Sequence, residues 1–295
     1  MALAYLDGKF VDKDQIKISP LDYGFARGVT VFEYTRLYGS VPFRLQEHIE
    51  RFSRGAEFIG IPVPASPKEM TEAVQTIAAS NAYAHSGMKF YLTIGECGKP
   101  GSFGFKTCSD FKPHLMMIEE EAHPIHPEAP RGLPLYQRGV ALKTAPFARQ
   151  IPEVKTINYA PGFVASRQLA GTNYDEILFL HPNGYVTETP TSNFFCVIDG
   201  ALCAPGNDML LGVTRTVMLE LAQELGIPML EKNITLADLR RASEAFITGT
   251  FLEMLPARMI DDISYSATMD APVFAKLRKA FTACITDACR EKATV

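Results

Sequence analysis

Lys155 stands in Pro152-Glu153-Val154-Lys155-Thr156-Ile157-Asn158-Tyr159, the one amine in that run. A lysine drawn partly out of water has a depressed pKa, and its neutral amine attacks an aldehyde carbon. Most lysines are solvated surface charges, so the residue alone does not decide its role. Further on, Tyr185-Val186-Thr187-Glu188 is followed by Thr189-Pro190-Thr191-Ser192-Asn193. This pattern presents Glu188 from a turn between two short strands. Such a carboxylate is either a surface acid or the partner that keeps a pyridine-type ring nitrogen protonated. Leu211-Gly212-Val213-Thr214-Arg215 opens a helical stretch. Gly212 allows close backbone approach, and the free N–H groups at a helix N-terminus suit a phosphate. A routine helix start capped by Thr214 is the alternative. Ile247-Thr248-Gly249-Thr250 offers a second small, polar turn, suited to phosphate contacts or simply ending a strand.

The elements that must position these groups follow from periodicity and turn chemistry. Asp7-Gly8 joins residues 4–6 and 9–11 in a hairpin. Residues 29–37 are rich in β-branched and aromatic side chains and predict a strand, turning at Gly39-Ser40 into 41–43. Leu45, Ile49, Phe52, Ala56 and Ile59 fall at helical spacing. Ser66-Pro67-Lys68-Glu69 starts another helix with a capping box. Strands at 88–95 and 114–120 complete this half. The second half predicts a helix over 161–170, strands at 176–180, 185–188, 193–198 and 201–204, a helix from 213 to 225, a strand at 244–248 and a helix over 271–291. Residues 121–134 carry four prolines and little apolar content. The reading is α+β in two domains: 1–122, a proline-rich linker at 123–133, and 134–295, which carries Lys155.

The chain has 295 residues, 47% hydrophobic and 21% charged, with net charge −4. This composition is that of a soluble globular protein and supports neither nucleic-acid nor membrane-surface binding. Six cysteines (97, 108, 196, 203, 284, 289) form no Cys-x-x-Cys pair. They read as reduced thiols, with no zinc or other metal motif. Residues 1–10 lack a signal-peptide apolar core, and no run reaches the ~18 apolar residues of a membrane span, so cytoplasmic residence is expected.

Taken together, Lys155-Thr-Ile-Asn-Tyr159, Thr187-Glu188-x-x-x-Ser192-Asn193, Gly212-Val213-Thr214-Arg215 and Gly249-Thr250 resemble, in this order, the class IV aminotransferases. Phe43-Arg44-Leu45-x-Glu47-His48-Ile-Glu-Arg51-Phe52 is similar to that family's segment with a phosphate-binding arginine. The resemblance spans the chain from Asp7-Gly8 to Pro256. It implies a two-domain fold type IV enzyme, like D-amino acid aminotransferase, using pyridoxal 5′-phosphate. Lys155 is then the catalytic residue, holding the cofactor as a Schiff base and shuttling a proton. Glu188 is implied as the partner of the ring nitrogen. Arg51, Gly212, Val213, Thr214, Gly249 and Thr250 are implied as the phosphate site. Tyr159 hydrogen-bonds the cofactor's phenolic oxygen or packs on the helix that follows it.

The implied activity is amino-group transfer between an amino acid, L and branched-chain-like, and a 2-oxo acid, by a homodimer. Aminodeoxychorismate lyase and D-amino acid aminotransferase are the alternatives on the same fold; a non-catalytic binding protein is a third. Phe32-Glu33-Tyr34-Thr35-Arg36 is similar to the branched-chain enzymes' Phe-Glu-Gly-x-Arg, with Tyr34 in place of glycine. Lys89 lies where they carry an arginine close to the substrate. Phe251 takes the place of a small residue beside the substrate carboxylate. No Arg-x-His carboxylate clamp is present. Arg27, Arg36, Lys89 and Arg149 are therefore the candidate substrate-carboxylate ligands.

Overall fold

The computed structural model describes residues 2–98, 109–122, 133–265 and 271–293. The chain forms two compact units. One comprises Met1–His123 with Val154–Asn158; the other comprises Pro124–Glu153 with Tyr159–Val295. The proline-rich stretch 123–133 lies outside the described residues except for Leu133, where a short helix begins.

The elements of the first unit are β1 (Leu3–Leu6), β2 (Lys9–Asp12), α1 (Tyr23–Arg27), β3 (Thr30–Tyr38), β4 (Val41–Pro42), α2 (Leu45–Ile59), α3 (Pro67–Asn81), β5 (His85–Thr93) and β6 (His114–Glu121). Its strands form one six-stranded antiparallel sheet ordered β2-β1-β6-β5-β3-β4. The β1–β2 hairpin turns through Asp7 (φ 47°) and Gly8 (φ 85°), the paired positive angles of a two-residue turn. Helix α3 begins with the expected capping box: the Ser66 side chain accepts from Glu69 N–H, and the Glu69 carboxylate accepts from Ser66 N–H. Ile49, Phe52 and Ala56 of α2 and Met70, Val74 and Ile77 of α3 pack with Val31, Met88, Phe90 and Leu92 in one core.

Lys155, read from the sequence with the C-terminal half, packs with the N-terminal unit. Its neighbour Val154 is fully buried in that unit's core. Phe32 N–H donates to the Lys155 carbonyl at 2.9 Å, and Val31 bridges Thr156. The backbone donors along β3 thus recruit this segment across a large sequence separation, which local periodicity does not report.

The second unit contains α4 (Leu133–Arg138), β7 (Val140–Ala145), α5 (Ala160–Arg167), β8 (Glu176–Phe179), β9 (Tyr185–Val186), β10 (Asn193–Ile198), β11 (Ala201–Ala204), α6 (Val213–Glu224), β12 (Met229–Glu231), β13 (Ile234–Thr235), α7 (Leu236–Arg241), β14 (Glu244–Gly249), β15 (Glu253–Ile260), β16 (Ile263–Ser264) and α8 (Pro272–Ala293). An eight-stranded mixed sheet runs β12-β11-β10-β14-β15-β7-β8, with β16 on β15; β9 and β13 pair separately. Phe194, Cys196, Ile247 and Leu255 belong to the core on one face. Phe195 stacks on Phe246, which packs edge-on against Phe274 of α8.

Five strands, β7, β12, β13, β15 and β16, were not anticipated from sequence. β15 carries Pro256, which ordinarily argues against an interior strand. Here the pairing with β7 shifts register between Ala257 and Met259, so the ladder is irregular beside the proline. β7 is its parallel neighbour and has no hairpin turn to announce it. Helix α5 ends at Arg167, before the expected Gly171; Leu169 and Ala170 continue only as tight turns onto the carbonyls of Ser166 and Arg167. Among the described residues, no helix is long and apolar enough to cross a membrane, and no cluster of three or more metal-ligating side chains occurs.

Candidate functional site

In the first unit the amine of Lys155 lies on an aromatic floor. Lys155 is half-buried, and its Nζ sits 4.4 Å from the centroid of the Phe32 ring. Phe32 in turn stacks on Tyr91 of the adjacent strand. Gly55 of α2 makes the backbone seat: a Cβ there would lie 3.1 Å from Val154 Cγ1 and 3.3 Å from Val31 Cγ1. Glycine lets the helix close on Val154 and so helps set the position of the lysine beside it.

Behind β3, Arg51 of α2 grips Glu33 with two hydrogen bonds, Nε to Oε2 at 2.8 Å and Nη2 to Oε1 at 2.6 Å. Glu33 Oε1 also accepts from Tyr34 N–H, and His48 Nδ1 lies 3.1 Å from it. Burial pushes the Glu33 carboxyl up, but Arg51 and His48 more than offset this and hold it well below the usual carboxylate range. The planar fork fixes the direction of the Arg51 guanidinium, the phosphate ligand implied by the sequence.

His48 is fully buried, and burial pushes its imidazole below its ordinary 6.5 against the pull of Glu33; Arg51 and Lys155 push it further down. The unfolded chain therefore binds a proton near pH 6.5 that the folded chain refuses. Stability is full above that value and falls as pH drops through it, by at most about 1.4 kcal/mol per pH unit. Between pH 7.5 and 5.5 the wild type should lose more melting temperature than His48→Gln, which cannot titrate. Glu33 contributes below its ordinary 4.5, outside this window. Parallel curves for the two proteins would rule out the buried neutral imidazole.

The three candidate substrate cations of this unit have different surroundings. Arg27 ends α1 on the surface, 5.9 Å from the Tyr23 ring. Arg36 is buried, with its guanidinium 5.7 Å from the Tyr38 ring. Lys89 is ion-paired to Glu120 on β6. Its ammonium is already matched by a carboxylate, which neither the Met88-Lys89-Phe90 segment nor its alternation reveals.

In the second unit the remaining candidates converge on the ends of β10 and β14. Glu188 is 2% exposed. Its Oε1 accepts from Arg149 Nε at 2.5 Å, and its Oε2 from Asn193 Nδ2 at 3.3 Å. Arg149, considered above as a substrate ligand, thus holds Glu188, and it also reaches the Pro190 carbonyl. Asn193 Nδ2 donates to the Leu210 carbonyl as well, at 2.7 Å. Its Oδ1 lies 2.0 Å from where a Cβ on Gly212 would stand. Only glycine fits there, so Asn193 ties Glu188 to the start of α6.

Gly212 is the N-cap of α6 and provides no side-chain cap, so the N–H groups at Val213 and Thr214 are not closed off by a capping hydroxyl or carboxylate. Arg215 turns away to the Pro205 carbonyl and Glu231. Asn193 pairs with Thr248 in the β10–β14 register, which brings Gly249 and the turn at Thr250 to the same end of the sheet. Phe251 in that turn is exposed. Tyr159 heads α5, and Gly162 of that helix lies against Pro190, two residues past Glu188. The donor set fits a phosphorylated pyridine: an open helix N-terminus, a glycine cradle, hydroxyls, and a buried carboxylate held by two donors.

Glu33, His48 and Asn193 stand within the motifs, but their sequence context assigns them no part in the site. Asn193 gave no local signal of its role, since its bonds run to residues 5 and 17 positions away. Gly55 carried no signal either, being one small residue inside a regular helix.

Comparison with known proteins gives a consistent picture. A family model described as "Amino-transferase class IV" matches residues 30–260. The chain is 33% identical over 279 residues to a Methanocaldococcus jannaschii protein named for branched-chain-amino-acid aminotransferase activity, covering 94% of each chain. It is 28% identical over 263 residues to a Staphylococcus epidermidis D-alanine aminotransferase, covering 88% of this chain and 90% of that one. Among solved structures it is similar to the branched-chain aminotransferase of the thermophilic archaeon Thermoproteus uzoniensis, solved with norvaline. The TM-score is 0.81 at 27% identity, covering 94% of this chain and 93% of that one.

Proposed function

The chain belongs to the class IV aminotransferases, fold type IV transaminases dependent on pyridoxal 5′-phosphate, and we propose that Lys155 is the residue that binds and works the cofactor. The observation that carries this is Lys155 Nζ over Phe32, on a segment whose backbone is pinned to β3. The cofactor, when bound, supplies an aldehyde for the amine and a ring that stores the electron pair released at the substrate's α-carbon. Lys155 would hold the cofactor's aldehyde carbon through Nζ and would serve as the group that carries the proton at the substrate's α-carbon. Glu188, hydrogen-bonded by the Arg149 guanidinium and the Asn193 amide, would hold a proton on the ring nitrogen. Arg51, Gly212, Val213, Thr214, Gly249 and Thr250 take the phosphate, the arginine by charge and the others through N–H and hydroxyl donors. Tyr159 donates to the cofactor's phenolic oxygen.

The substrates are an amino acid and a 2-oxo acid. We take the working form as a homodimer, supported by exposed Leu21 and Phe25 in one unit and Phe163, Leu211 and Phe251 in the other. We place it in the cytoplasm, where free thiols such as Cys196 and Cys203 persist. Purified yellow protein given an amino acid alone should lose its visible band after one equivalent and recover it only when a 2-oxo acid is added. Continuous turnover without any acceptor would indicate a lyase instead. Light scattering on the same sample should report twice 32.5 kDa.

A further inference from the structure

We propose that Tyr34, seated over Gly87, sets the size limit for the substrate side chain, favouring short side chains over those branched at the γ-carbon. This rests on the transaminase reading with Lys155 as the reactive amine. Strand alternation divides the first sheet into two faces. Val31, Leu37, Met88, Phe90 and Leu92 point into the core with α2 and α3, so Phe32, Tyr34, Arg36, Gly87, Lys89 and Tyr91 share the opposite face. Lys155 Nζ lies on that second face, over Phe32. Tyr34 is the next side chain along it, about 7 Å further on.

What holds Tyr34 there is the absence of a side chain at Gly87. A Cβ on Gly87 would lie 2.1 Å from the Tyr34 hydroxyl oxygen and 2.2 Å from each of two ring carbons. The ring therefore rests directly on the β5 backbone, in space that any other residue at 87 would fill. Across the register Tyr34 faces Lys89, whose pair with Glu120 fixes the neighbouring stem. Burial, opposed by the charges of Arg36 and Lys89, raises the phenol above its ordinary value. It is thus a neutral wall at working pH. A substrate carbon held at Lys155 Nζ has the aromatic floor of Phe32 and Tyr91 beside it and meets this wall after a short reach. Where the branched-chain enzymes' segment has glycine, this chain has the bulk of a phenol.

The test uses holoprotein converted to its amino form with excess amino donor and then desalted. Return of the visible band is followed with pyruvate and with 4-methyl-2-oxopentanoate, which carry no stereocentre at the reacting carbon. Wild type should favour pyruvate. Tyr34→Gly should raise kcat/KM for 4-methyl-2-oxopentanoate relative to pyruvate by about 10-fold or more, the scale on which pockets discriminate missing or added methylenes. Tyr34→Phe keeps the volume and should hold the wild-type ratio within about 3-fold. Calorimetry with unreactive 4-methylpentanoate and propanoate gives a readout independent of turnover. The branched acid should tighten selectively in Tyr34→Gly. An unchanged ratio in Tyr34→Gly, or an equal shift in Tyr34→Phe, overturns the inference. If no 2-oxo acid restores the band in wild type, the transaminase reading itself fails and this inference falls with it.

Discussion

Lys155→Ala should reduce turnover by roughly 10⁴-fold or more, on the order of 5 kcal/mol of transition-state stabilisation, because one substitution removes both the proposed nucleophile and the proposed proton carrier. The fold should survive. Lys155 anchors its segment through its carbonyl, which accepts from Phe32 N–H, and alanine keeps that bond. Val154 remains in the core. Melting temperature should therefore change little while the visible band of the aldehyde-bound cofactor disappears. Borohydride reduction of the wild type, followed by peptide mass spectrometry, locates the modified lysine directly. Competing lysines are poorly suited. Lys143 is 2.7 Å from Asp261, whose hydrogen bond raises its pKa and keeps it charged. Lys232 pairs with Asp238 at 2.8 Å. Reduced cofactor on Lys143 or another peptide would overturn the assignment.

Glu188→Gln is the second large effect. The amide keeps an oxygen to accept from Arg149 Nε, so the guanidinium retains a partner and the loop keeps its shape. What is lost is the negative charge proposed to stabilise a proton on the ring nitrogen. Turnover should fall at least ~100-fold, roughly 3 kcal/mol. Bound cofactor should remain, since the implied phosphate contacts lie at Arg51, α6 and the Gly249-Thr250 turn. Glu188→Ala should be worse in a different way: it leaves the partly buried Arg149 without its carboxylate, and stability should fall along with activity, by less than the ~3–5 kcal/mol of a fully buried broken pair. Equal activity of Glu188→Gln and wild type would show that another group serves the ring nitrogen.

Arg149 shows how a side chain chosen for its charge finds a partner that the local sequence does not name. Read along the chain, an arginine near the lysine suggests a ligand for substrate carboxylate. In the folded unit its carboxylate comes from Glu188, 39 positions away. Lys89 repeats the lesson across 31 positions with Glu120. Both pairings depend on which strand lies beside which, and nothing in the local composition encodes that.

The sequence by itself determined whatever depends on a few adjacent residues. Asp7-Gly8 and Asp199-Gly200 both supply the positive φ angles their hairpins need. Ser66 and Glu69 close a helix start. Gly212-Val213-Thr214 opens α6 at the residue expected. The ordered motifs also carried the family, because each motif is a short run whose chemistry is local. Tertiary structure decided the rest. It moved Lys155 into the first unit by hydrogen-bonding its segment to β3, seated Val154 on Gly55, and used Asn193 to join Glu188 to the start of α6. It also laid Tyr34 across Gly87, so that a glycine unremarkable in sequence became the seat of a phenol. These are packing and hydrogen-bonding choices between distant segments, settled by strand register and the volume left between neighbours, and they exist only once the sheets have formed.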